Sequence, residues 1–75
     1  MKIRIEAVLG QQVDVTYDID DATLDQIVHD EPQFEDTPND RVIVAAEIAQ
    51  EMFDADYEYD NLDHITMYDD EGIEL

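Results

Sequence analysis

The chain reads as a single α+β domain over residues 1–75: a small antiparallel sheet, made of an N-terminal hairpin and a C-terminal strand, with two helices packed on one face. Three observations predict it. Two segments near the N-terminus alternate between apolar and polar residues, the middle repeats apolar residues at helical spacing, and a short apolar run returns near the end. The predicted order is β-β-α-α-β, with room for an extra short strand.

Ile3, Ile5, Ala7 and Leu9 fall on one face of the first segment, and Val13, Val15, Tyr17 and Ile19 on one face of the second. With residues 10 to 12 as the connection, Leu9 faces Val13 and Ile3 faces Ile19, so the two apolar rows coincide. The same register sets Arg4 opposite Asp18 and Lys2 opposite Asp20, each pair worth a few tenths of a kcal/mol. Two of the three bases are then neutralised within the hairpin.

Asp20 or Asp21 serves as a helix N-cap, and Leu24, Ile27 and Val28 supply a short stripe that ends near Asp30. Residues 31 to 39 hold both prolines and read as a loop anchored by Phe34. Thr37-Pro38-Asn39-Asp40 is a strong start signal for the second helix: a threonine cap, proline at the first helical position and an acid at the third. Val42, Ala45, Ala46, Ala49, Met52 and Phe53 then recur at helical spacing, widened by Val44 and Ile48.

Beyond Phe53 two readings compete. Asp54, Asp56, Glu58 and Asp60 alternate with Ala55, Tyr57 and Tyr59, as in an extended segment with an acidic and an aromatic face. Alternatively the helix runs on and sets Phe53 over Tyr57 and Asp54 beside Glu58. Leu62, Ile65, Met67 and Tyr68 suggest the last strand, followed by Asp69-Asp70-Glu71-Gly72 and a short end at Ile73 and Leu75.

Charge is the most constraining feature. Twenty-two acids against three bases give a formal charge of -19, which no fold requires and which destabilises a compact state by self-repulsion. Residues 1 to 12 hold one acid, Glu6, beside Lys2 and Arg4; the other 21 run from Asp14 to Glu74 and meet only Arg41. They are interleaved with apolar residues, which make up 44% of the chain, so the composition describes a folded body with a negative coat and not a disordered tail. Length allows a modest core, since a chain this size buries only about 60% of its unfolded surface. The absence of cysteine excludes a disulfide framework and thiolate metal sites. The longest apolar run, Val42 to Ala46, is far below the roughly 20 residues of a membrane span, and no signal-peptide core precedes it; the expected setting is the cytoplasm, away from anionic membranes.

The residues point away from catalysis. The chain has no serine or cysteine, its four threonines and four tyrosines lie in no nucleophile signature, and it has no glycine-rich phosphate loop. Asp54-x-Asp56-x-Glu58-x-Asp60 echoes the first ligands of a calcium loop but carries Tyr59 where the turn needs glycine and Ile65 where a bidentate glutamate belongs. His29 and His64 each lack a second histidine at ligand spacing, so neither a metal nor a cofactor is expected. Tyr57 and Tyr59 read as cover for the core edge, placed where an interface would also want aromatics.

What remains is a partner that wants negative charge. Proteins that grip DNA present Lys and Arg to several phosphates. Carboxylates on alternate strand residues, roughly 6.6 Å apart, repeat at a spacing similar to that of phosphates along a DNA strand. In size, charge, lack of cysteine and strand-helix pattern, the whole chain resembles the small phage-encoded DNA-mimic inhibitors, the anti-CRISPR and anti-restriction class. The resemblance is one of class, without a shared motif, so it assigns no residue. It implies an inhibitor that binds a basic DNA-binding protein or complex, a CRISPR effector or another host defence enzyme, and does not itself bind nucleic acid. From the residues, the candidate contacts are Asp54, Asp56, Glu58, Asp60 and Asp63, then Asp69, Asp70 and Glu71, and around the first helix Asp25, Asp30, Glu31, Glu35 and Asp36. A monomer or weak dimer is expected. Two other readings fit the same charge: an acidic interaction module, such as a toxin-neutralising partner, and a domain adapted to high salt.

Overall fold

Backbone hydrogen bonds join β1 (Lys2–Val8) to β2 (Gln12–Asp18) on one side and to β3 (His64–Tyr68) on the other, both antiparallel, in the order β2-β1-β3. Between β2 and β3 run α1 (Asp21–Asp30) and α2 (Pro38–Asp56). The computed structural model describes residues 1–57 and 64–75. The architecture is the expected α+β, in the expected β-β-α-α-β order.

The first strand is central because its inward row is purely apolar: Ile3 and Ile5 are fully buried and Ala7 nearly so. The hairpin register differs from the expected one by two residues. Ile3 pairs with Tyr17, Arg4 with Thr16 and Lys2 with Asp18, and the connection is Leu9-Gly10-Gln11. Gly10 sits at the middle of this loop with φ of 82°, a left-handed conformation that glycine adopts without a Cβ penalty, and the Leu9 amide donates to the Gln11 carbonyl at 3.0 Å. A slip of two residues leaves every side chain on its original face, so alternation alone does not detect it.

Both helices contribute to one apolar cluster with the inner face of the sheet. Leu24 and Val28 from α1, and Val44, Ala45, Ala49 and Phe53 from α2, meet Ile3, Ile5, Ala7, Tyr17 and Ile19. The second helix lies against β1, and α1 lies against α2. Ala45 and Ala49, both fully buried, keep the α2 backbone close to the sheet, while Phe53 fills the far end. Among the described residues no polar or charged residue is buried.

Capping follows the sequence with one exception. The Thr37 hydroxyl accepts from the Asp40 amide at 3.2 Å, Pro38 opens α2, and the Asp40 carboxylate accepts from the Glu35 amide at 2.7 Å. Asp20 occupies the N-cap of α1, but its side chain makes no capping hydrogen bond. After Phe53 the helical reading prevails as far as Asp56, and the Phe53 and Tyr57 rings pack with centroids 4.8 Å apart. The remainder of the proposed extended segment, including Tyr59, and the expected strand start at Leu62 lie outside the described residues.

A third, short pairing forms at the C-terminal end. After a turn with Gly72 at φ of 77°, the chain folds back along β3: the Asp69 amide donates to Ile73 at 3.0 Å, the Leu75 amide donates to Met67 at 2.9 Å, and Tyr68 bridges Glu74. Among the described residues no helix is long and apolar enough to cross a membrane.

Two substitutions test this account of the core and the cap. Phe53→Ala should cost about 3–5 kcal/mol, a large part of a small domain's stability. Thr37→Ala should cost about 1 kcal/mol. Urea unfolding in added salt measures both, and equal losses would show that Phe53 is not the keystone of the far end.

Candidate acidic interaction surface

Two arginines sort the acids. Arg4, on the outer face of the sheet, donates to Glu6 on its own strand and to Asp14 of β2, the latter at 3.2 Å, and its guanidinium lies 4.3 Å from the centre of the Tyr68 ring. The Tyr68 hydroxyl donates to Glu6 at 3.2 Å and closes the group across all three strands. This arrangement replaces the expected pairing of Arg4 with Asp18; the two-residue register shift sets Thr16 opposite Arg4 and Asp14 and Asp18 at its two diagonals, and Arg4 engages Asp14. Opposite Lys2 stands Asp18 and not Asp20, and the Lys2 amide donates to Asp70 at 2.6 Å.

Arg41, in the first turns of α2, donates to Asp25 on α1 and to Asp36 in the connecting loop, the latter at 3.2 Å. His29 approaches the same Asp36 at 3.5 Å. Two candidate contacts, Asp25 and Asp36, are therefore brought together and engaged within the molecule. Such exposed pairs contribute little individually, but they tie the loop to both helices.

The other candidates divide by element. Asp30, Glu31 and Glu35 are exposed at the loop end of α1, where the Glu31 carboxylate accepts from the Gln33 amide group at 2.9 Å. Asp69 builds its own turn, its carboxylate accepting from the amides of Glu71 and Ile73 at 2.9 Å each. Asp70 and Glu71 project from that turn and are exposed. With Pro38 and Val42 they border a hollow beside the start of α2.

Asp54 and Asp56 do not share a face as an extended segment would require. Both lie on the last turns of α2, where residues two apart point about 200° apart. Asp56 accepts from the Tyr17 hydroxyl at 2.7 Å and belongs to the border of the core. Glu58, Asp60 and Asp63 lie outside the described residues.

Sequence reading overlooked Glu47 and Glu51. Both are exposed, and with Asp54 they follow one another at spacings of four and three along the solvent side of α2. Among the described residues no base pairs with Glu47 or Glu51. The i, i+4, i+7 spacing of these acids is legible within the helix, although the acids after Phe53 are denser in the sequence. No three acids or histidines among the described residues gather as a metal site would require.

Burial, reinforced by the Asp56 hydrogen bond, raises the proton affinity of the Tyr17 hydroxyl. The Tyr68 hydroxyl is raised as well, by desolvation first and then by the charge of Glu6. Free tyrosine ionises near pH 10, so above that value the unfolded chain loses protons that the folded one keeps, and stability falls with rising pH. Tyr17→Phe should flatten this alkaline loss. Urea unfolding between about pH 9 and pH 11 reads the slope, and an unchanged slope would remove Tyr17 from the account.

No family model matches the chain, and no curated protein or solved structure is similar enough to count as a match.

Proposed function

We propose that this protein is a DNA mimic that binds the positively charged DNA-binding surface of a host defence complex, foremost a CRISPR effector, and blocks its access to target DNA. The observation that carries the reading is the carboxylate row on the solvent side of α2. Glu47 and Glu51 stand about 6 Å apart along the helix axis and Asp54 about 4.5 Å further on, a row of closely spaced negative charge of the kind a DNA strand presents about every 3.4 Å of its axis. A helix anchored by four buried side chains holds the backbone of this row in place, so that binding orders only the side chains. The acidic turn at Asp69 to Glu71 adds charge beside the start of the same helix. A basic groove would be reached quickly through electrostatic steering, and binding would weaken with salt.

A second reading, adaptation to concentrated salt, is favoured by the spread of acids over every described element but β3, and by a single lysine in the chain. It predicts a chain that is unfolded at about 0.15 M salt, where screening is still incomplete. Circular dichroism across a salt series separates the two.

The inhibitor reading predicts that the protein abolishes target-DNA binding by a purified effector. Reversing Glu47, Glu51 and Asp54 together to lysine should weaken inhibition on the order of a hundredfold and reduce its salt dependence. Asp14→Lys, at a site already engaged by Arg4, should weaken it far less. Effectors that still bind DNA in a saturating excess of the protein would overturn the proposal.

A further inference from the structure

Part of the exposed apolar surface among the described residues is gathered into a groove. Among the described residues the large exposed apolar side chains include Ile43, 42% exposed, and Leu75, 49% exposed. These two line an open groove of about 210 Å³ between α2 and the C-terminal segment, with Val42, Ala46 and Met67 beneath them. Glu47 and Gln50 border it on the α2 side. Val42 also borders the neighbouring hollow, where Pro38 meets the turn of Asp69, Asp70 and Glu71. An apolar trough thus carries Glu47 along its α2 side and has the acidic turn beyond its Val42 end. None of Lys2, Arg4 and Arg41 borders either depression.

The charge decides what can fill it. A second copy would bring another chain of charge -19 against Glu47 and the acidic turn. An uncharged apolar segment would fill the trough but strip water from the carboxylates beside it without compensation. A helix with apolar side chains on one stripe and Lys or Arg beside them satisfies both parts. From Val42 to Gln50 the groove runs about 12 Å along α2, two helical turns, which is long enough to take two apolar residues at i and i+4, about 6 Å apart, on an incoming helix.

We infer that this groove receives the apolar stripe of a basic amphipathic helix in the partner, so that recognition is not by charge alone. The inference rests on the reading that the partner is basic, and names the feature by which this protein would tell one basic partner from another. Charge then brings the partner in, and the buried apolar side chains hold it.

The test uses two synthetic alanine-based helical peptides of equal lysine content, one with leucines at i and i+4 and one with serines there, titrated into the intact protein. The leucine peptide should bind about tenfold more tightly, and its methyl contacts should shift the NMR signals of Ala46 and Met67. Ile43→Ser should erase the difference between the peptides, whereas Met52→Ser, at a comparably exposed residue outside the groove, should preserve it. Glu47→Gln should weaken both peptides together. Equal binding of the two peptides, or a difference that survives Ile43→Ser, overturns the groove as an anchor while the acidic reading stands. Failure of both peptides to bind at low salt overturns the acidic reading itself.

Discussion

Mutual repulsion among 22 carboxylates is the constraint under which every other part of this structure works. Three bases cannot neutralise it, so it must be relieved by keeping the acids at the surface, apart from one another, and by an interior that asks for no polar partners. The core answers that demand. Its buried members are apolar, and its close contacts come from alanines at the α2 face over β1 and from Phe53 at the far end. Small residues allow near approach and a large one closes the gap, so a short chain obtains a dense interior.

The bases then act where separate segments must be joined. Arg4 draws acids from two strands and covers a tyrosine from the third, so one cation serves the outer face of the whole sheet. Arg41 does the same at the junction of α1, the loop and α2. Planar guanidinium groups suit this role because they offer several donors in fixed directions. With both arginines committed, Glu47 and Glu51 pair with no base among the described residues, and they stand on a helix anchored by four buried side chains. The sheet edges follow a similar economy. The outer strand β2 carries Asp14 and Asp18, charges that deter pairing with another strand, and the C-terminal residues fold back along β3.

The surface of α2 sets two unlike features side by side. The field of the carboxylate row is long-ranged and screened by salt, whereas the groove beside it is apolar and acts only in contact. In the proposed reading, their adjacency would let an acidic protein discriminate among the many basic surfaces that its charge attracts.

The sequence by itself determined the class of the fold, the order of its elements, the start of α2 at Thr37 and the inward rows of the hairpin, because each depends on residue periodicity or on a local cap. It also determined that the exterior is acidic. Tertiary structure decided the rest. The hairpin register depends on which loop position needs a left-handed glycine, and a two-residue slip is invisible to alternation. That register sent Arg4 to Asp14 instead of Asp18. Continuation of α2 through Asp56 separated Asp54 from Asp56, an outcome that accompanies the packing of Phe53 into the core and not one that alternating acids could signal. The groove beneath Ile43 and Leu75 exists only because residues more than thirty positions apart in the chain are brought together, and no local pattern records such a meeting.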